Sequence, residues 1–214
     1  GATNLVTSVA NAQADSIPLL VLSAQVDKRY LHRNILQYCD NVALFEPFCK
    51  SSMQAASLDE IPNLLSTSIQ LALSGRPGPV HISLPQNLQA ETIASQKIIP
   101  FEQLNTGEPS NVDIKNLLEA LRNCKRPVIL AGHGVIRAGS SLILKEVAEK
   151  IGAPVATSRS GIGSISTNHP QSVGMLGFYG TDTARDSINE ADLILVLGCA
   201  LGEQTTFGWR SEIF

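Results

Sequence analysis

The 214-residue chain has little of several things. It contains four cysteines, two methionines and one tryptophan, and only 16% of its residues are charged. The cysteines, Cys39, Cys49, Cys124 and Cys199, lie far apart and form no CxxC pair. That excludes the usual zinc and dithiol motifs and fits reduced thiols in an intracellular, cytoplasmic setting. There is no basic run, and the net charge is −3. Nucleic-acid binding, which needs a cationic face, is therefore not expected. Nor is a membrane span: one needs about 18 apolar residues, and the longest apolar run, residues 17–24, is strand-length. The sequence has no GxxxxGK[ST], HExxH or GxSxG motif, and of a GxGxxG fingerprint only Gly132 and Gly134 stand, with Arg137 in the last place. The first residues, Gly-Ala-Thr-Asn, carry neither Met nor a signal pattern and read as the middle of a longer sequence.

What is present is apolar periodicity. Hydrophobic residues make up 43% of the chain, and so quiet a surface suggests an oligomer or part of one. Residues 4–15 carry an apolar stripe at helical spacing (Leu5, Val6, Val9, Ala12). Residues 19–24, LLVLSA, read as a parallel strand buried on both faces. Next come a polar stretch with a cation cluster (Lys28, Arg29, His32, Arg33), a weak strand at 42–45 and a helix at 58–73. A turn cluster, GRPGP, then opens onto a strand at 80–84, stopped by Pro85. Residues 90–110 lose all period and read as a linker over a surface.

Beyond it the pattern resumes: a helix at 111–123, a strand at 126–131, a helix at 140–151, and a short strand at 154–157. In the second helix Leu142, Ile143, Val147, Ala148 and Ile151 are expected to face inward. A glycine-bearing loop (158–177), a short helix (181–189) and a buried-type strand (192–198) follow. The expected fold class is α/β: parallel, doubly wound, Rossmann-like sheets, with a partial first domain followed by a three-layer α/β/α domain. Strands of the second domain end in small residues, Gly132 and Gly134, Thr157 and Ser158, Gly198 and Cys199. In such sheets ligands bind beyond the carboxyl ends of the strands. Glycines there either let backbone amides approach a phosphate or simply make tight turns. His133 suits a polar turn better than a ligand contact, Arg159 suits a phosphate contact or a solvated loop equally, and Tyr179 and Trp209 suit packing better than base stacking.

The segments GATNLVTSVANAQADSIPLLVLSAQV and GRPGPVHISLPQNLQ resemble the pyrimidine-binding domain of thiamine-diphosphate enzymes of the acetolactate synthase type. RPVILAGHGV, IGAPVATSRSGIGSISTNHPQSVGMLGFYGT and EADLILVLGCALGE resemble the central domain of the same family, in family order. The resemblance implies a division into residues 1–97, the C-terminal part of the pyrimidine-binding domain; 98–110, a linker; and 111–214, a central domain cut short at its C-terminal end. It implies a parent enzyme that uses thiamine diphosphate and Mg²⁺ on a 2-oxo acid, as a carboligase or decarboxylase, and that forms a homodimer or homotetramer. The family's catalytic glutamate and its Gly-Asp-Gly motif for Mg²⁺ and diphosphate are not among these residues, so the chain alone is expected to be inactive, with no catalytic or metal-binding residue of its own.

Carried over by position, Asn4 and Gln37 fall beside the thiamine site. Gly132, His133, Gly134, Ser158, Arg159, Gly177, Tyr179, Gly198 and Cys199 fall in segments that hold FAD, ADP or nothing. Two departures bear on FAD: Tyr179 replaces a histidine, and residues 200–204 (ALGEQ) replace an arginine-rich segment. The competing reading is a non-catalytic nucleotide-binding or structural α/β module.

Overall fold

A computed structural model describes residues 1–31, 33–92 and 108–211. The chain divides into two compact units, Gly1–Glu108 and Pro109–Phe214. Most of the expected linker, and His32 of the cation cluster, lie outside the described residues.

Unit 1 begins with a 3-10 turn, Ala2–Leu5, leading into α1 (Val6–Ala14). Then come β1 (Leu19–Gln25), α2 (Asn41–Phe45), β2 (Ser51–Gln54), α3 (Ile61–Leu73), β3 (Pro79–Pro85) and the single turn α4 (Gln86–Gln89). The sheet is parallel in the order β1-β3-β2. β3 is central, and six of its seven residues are buried. Val9, Val21 and Phe45 form the core on the face covered by α1 and α2.

Two expectations for this unit change. Residues 42–45 are helical, not a strand. Asp40 caps them, its side chain accepting a hydrogen bond from the Ala43 amide at 3.0 Å, and Phe45 is fully buried. A polar cap in front of a four-residue apolar run favours the helix. The strand lies further on, at Ser51–Gln54, where the sequence is too polar to announce one. In β1, burial alternates rather than covering both faces, and Leu22 is 49% exposed.

Unit 2 runs α5 (Asn111–Asn123), β4 (Pro127–Ala131), α6 (His133–Arg137), α7 (Ser141–Ile151), β5 (Val155–Thr157), β6 (Ser172–Met175), α8 (Asp182–Glu190) and β7 (Leu193–Leu197). Its sheet is parallel, in the order β6-β5-β4-β7. Alternate residues of β4 point to opposite faces. Ile129 and Ala131 pack with Val135, Leu144 and Ala148 from α6 and α7. Val128 and Leu130 pack with Ala184 and Ile188 from α8. This is the three-layer α/β/α arrangement. Gly152 closes α7 in the left-handed conformation, φ 68°.

Here too the structure corrects details. The inward face of α7 is Leu144 and Ala148, whereas Leu142, Ile143 and Val147 are exposed. Both sets have helical spacing, and only the crossing of α7 over β4 and β5 selects between them. β7 is an edge strand with Val196 exposed, not a strand buried throughout. The expected loop 158–177 contains β6, and Gly132-His133-Gly134 leads directly into α6.

Candidate functional site

In unit 1 the strands end at Gln25, Gln54 and Pro85. Gln25 is buried and organises the chain beyond β1: its Nε2 donates to the Cys39 carbonyl at 2.8 Å, and its Oε1 accepts from the Val26 amide at 2.8 Å. Asn4 lies at the start of α1 and Gln37 in the segment after β1. Because α1 runs antiparallel to the strand it leads into, both residues belong to the strand-end edge. Both are exposed, and Gln37 has a left-handed backbone, φ 63°. Among the described residues, no hydrogen bond joins them.

The cation cluster is mostly committed. Lys28 donates its backbone amide to Asn87 Oδ1 at 3.2 Å and its Nζ to the Ala56 carbonyl. Asp27 takes two donors from the Arg29 guanidinium, the shorter at 2.6 Å, and this holds its carboxyl below the usual range. Arg29 and Arg33 each stack 5.6 Å from the Tyr30 ring centroid. A cleft of about 510 Å³ opens at the ends of β2 and β3, lined by residues that include Ser57, Asp59, Asn87 and Glu91. Neither Asn4 nor Gln37 lines it.

In unit 2 the strand order reverses at β4, which has β5 on one side and β7 on the other. A ligand crevice is expected at such a switch point. The structure brings most of the sequence-predicted residues there. The Gly132 amide donates to the Leu197 carbonyl at 2.8 Å, and the Gly134 amide to the Gly198 carbonyl at 2.9 Å. A Cβ on Gly132 would lie 2.3 Å from the Gly198 carbonyl oxygen and 2.5 Å from Cys199 Cα; one on Gly134 would lie 2.7 Å from Gly198 Cα. Ser158 is buried; its amide donates to Ala131, and its Oγ accepts from the Gly161 amide at 3.1 Å. His133 donates from Nδ1 to the Ser160 carbonyl at 3.2 Å.

Gly177 joins this edge from β6: a Cβ there would lie 2.3 Å from the Gln204 carbonyl, which also accepts from the Phe178 amide. Gln204 Oε1 in turn accepts from Arg159 Nη1 at 3.4 Å. Tyr179 is 80% exposed and Trp209 67% exposed.

The arrangement bears directly on a nucleotide. A phosphate cradle needs backbone amides aimed at the ligand. The Gly132 and Gly134 amides are aimed at carbonyls instead, and the missing side chains make room for backbone, not for phosphate. These two amides are therefore not free to face a phosphate. Arg159 and Tyr179 present exposed side chains.

Comparison with known proteins finds two matching stretches, one in each unit. Residues 114–214 match the thiamine pyrophosphate enzyme central domain. Residues 1–44 match the thiamine pyrophosphate enzyme N-terminal TPP binding domain. The chain matches the thiamine pyrophosphate enzyme family in both of its units. Its relatives include a probable acetolactate synthase large subunit of Methanococcus aeolicus, 36% identical across 96% of this chain and 35% of that protein. A second, from Methanocaldococcus jannaschii, is 37% identical across 96% of this chain and 36% of its own length. The isozyme 3 large subunit of Escherichia coli K12 is 36% identical across 96% and 37%. The chain thus spans just over a third of the length of these relatives. Among the described residues, no helix is long and apolar enough to cross a membrane.

Sequence reasoning missed a fully buried ionisable group of unit 1. His81, in the middle of β3, is 0% exposed and bonded to serines on both neighbouring strands. The available signal was a lone histidine inside a strand otherwise expected to be apolar.

Proposed function

We propose that this chain is part of an enzyme that uses thiamine diphosphate and Mg²⁺ to act on a 2-oxo acid, as an acetolactate synthase-like carboligase or a decarboxylase. The observation that carries this reading is the ordered pair of family matches, at residues 1–44 and 114–214. When bound, thiamine diphosphate supplies an electron sink for decarboxylation. In this reading, residues 1–97 are the C-terminal part of the pyrimidine-binding domain, 98–110 the linker and 111–214 the central domain. Asn4 and Gln37 border the cofactor, where an exposed side-chain amide can both donate and accept hydrogen bonds to orient a ring. The whole enzyme is a cytoplasmic homodimer or homotetramer.

Unit 2 serves first as a scaffold. Any ADP or FAD held there would be gripped by side chains such as Arg159 and Tyr179, with Gly132, Gly134, Gly198, Ser158 and Cys199 shaping the edge and His133 and Gly177 flanking it. The motif Gly-Asp-Gly does not occur in the 214 residues, and the chain by itself is expected to have no activity.

The test is CO₂ release from a panel of short 2-oxo acids by the product of the complete gene, with each cofactor added or withheld. Release that requires both thiamine diphosphate and Mg²⁺ is expected. Absence of turnover with both present, or turnover indifferent to thiamine diphosphate, would overturn the reading.

A further inference from the structure

We propose that His81 is an acid-responsive latch that ties α2 and both outer strands of unit 1 to β3, and that its protonation loosens this unit. The inference does not depend on the thiamine reading. Nε2 of His81 is 2.8 Å from Ser23 Oγ on β1, and Nδ1 is 2.8 Å from Ser52 Oγ on β2. Ser52 Oγ also donates to the Val42 carbonyl of α2 at 2.8 Å. A hydroxyl has one proton to give. With that proton on Val42, Ser52 accepts from His81, so Nδ1 carries the ring hydrogen. Nε2 is then the acceptor, and Ser23 donates to it. One neutral tautomer satisfies the whole chain of bonds from β1 to α2. The imidazole also lies against Phe45 of α2, with ring centroids 4.4 Å apart.

A second proton on the ring breaks this chain of bonds. It would enter at Nε2, and Ser23 would have to turn its own hydrogen away into a buried layer. Among the described residues, no carboxylate bonds to the ring. Its neighbours on β1 and β2 are Val21, Ser23 and Ser52, all neutral. α3 and α4 carry no ionisable side chain. α2 holds none within Asn41–Phe45, with Asp40 at its cap and Glu46 just past its end. α1 holds none, and Asp15 follows it. Cys49, packed at the edge of this core, has a thiol pushed up to about 11 by burial and stays neutral. Lys50, before β2, gives its ammonium to the Leu71 and Ser74 carbonyls at 2.5 and 2.6 Å.

Burial lowers the His81 pKa to about 4, against about 6.5 in an unfolded chain. The unfolded state therefore binds the proton first. Stability from this group is complete above about pH 6.5, falls as the pH drops toward 4, and levels off below that. Across that window the folding constant of unit 1 should fall by roughly two orders of magnitude.

Two measurements on the 214-residue chain test this. Long-range ¹H–¹⁵N spectra of the imidazoles should show His81 with Nδ1 protonated and Nε2 bare, unchanged from pH 7.5 to about 5. An Nε2-protonated ring, or titration near 6.5, would overturn the latch. Denaturant unfolding between pH 7.5 and 4.5 should lose its steep acid dependence in His81→Gln, whose amide keeps a donor and an acceptor. An equally steep dependence in that variant would place the acid sensitivity elsewhere and refute the proposal.

Discussion

The two units share an architecture and differ in what fills the middle. At the centre of unit 1 a histidine and two serines join all three strands through hydrogen bonds. At the centre of unit 2, Val128, Ile129, Leu130, Val155 and Ala156 are almost wholly buried and purely apolar. The strand ends diverge in the same sense. Unit 1 carries exposed amides, a cleft and a stacked tyrosine at that edge, while unit 2 closes its switch point with backbone against backbone. A parallel α/β unit can thus be fixed by polar geometry or by packing. The first makes it sensitive to protons, the second to volume.

The sharpest way to break the comparison is Gly132→Ala. The added methyl would meet a main-chain carbonyl that cannot turn away, so a loss of about 3 kcal/mol or more is expected, confined to unit 2 and read by denaturant unfolding. If the crevice were an open cradle, the loss would be small. In unit 1, acidification from pH 7 to 4 should cost roughly 3 kcal/mol through His81, with unit-specific amide exchange showing which unit opens. Ser52→Ala leaves a buried ring N–H without its partner and takes one of two donors from the Val42 carbonyl, which keeps the Glu46 amide, for about 2 kcal/mol; thermal unfolding at pH 7.5 measures it. Gly152→Ala should have the smallest effect, about 1 kcal/mol. A Cβ there has open space, and only the left-handed backbone resists it.

Most of this fold was legible in the sequence where periodicity was strong. β1, β3, β4 and β7 announce themselves as apolar runs, and α5 is read to its ends. β2 was hidden because Ser-Ser-Met-Gln is an edge strand whose serine serves His81 rather than the apolar core. β6 was hidden by Gly174 and by the turn residues around it. In α2 the run Val-Ala-Leu-Phe mimics a strand, and the deciding signal, Asp40, lies just outside it.

The candidate site was legible in position but not in state. Glycines at strand ends predict close approach. They do not tell whether the approaching group is a phosphate or the next strand's carbonyl, because both require the same missing side chain. The role of His81 was invisible for a related reason: its partners lie 58 and 29 residues away.

The central claim is that unit 2 spends its strand-end glycines on its own backbone. Hydrogen exchange at the Gly132 and Gly134 amides, with and without FAD or ADP, tests it most directly. Both amides should exchange only with global opening of unit 2, and nucleotide should not change their protection. Rapid exchange that slows when a nucleotide is added would mean that these amides face a ligand, and would contradict the account.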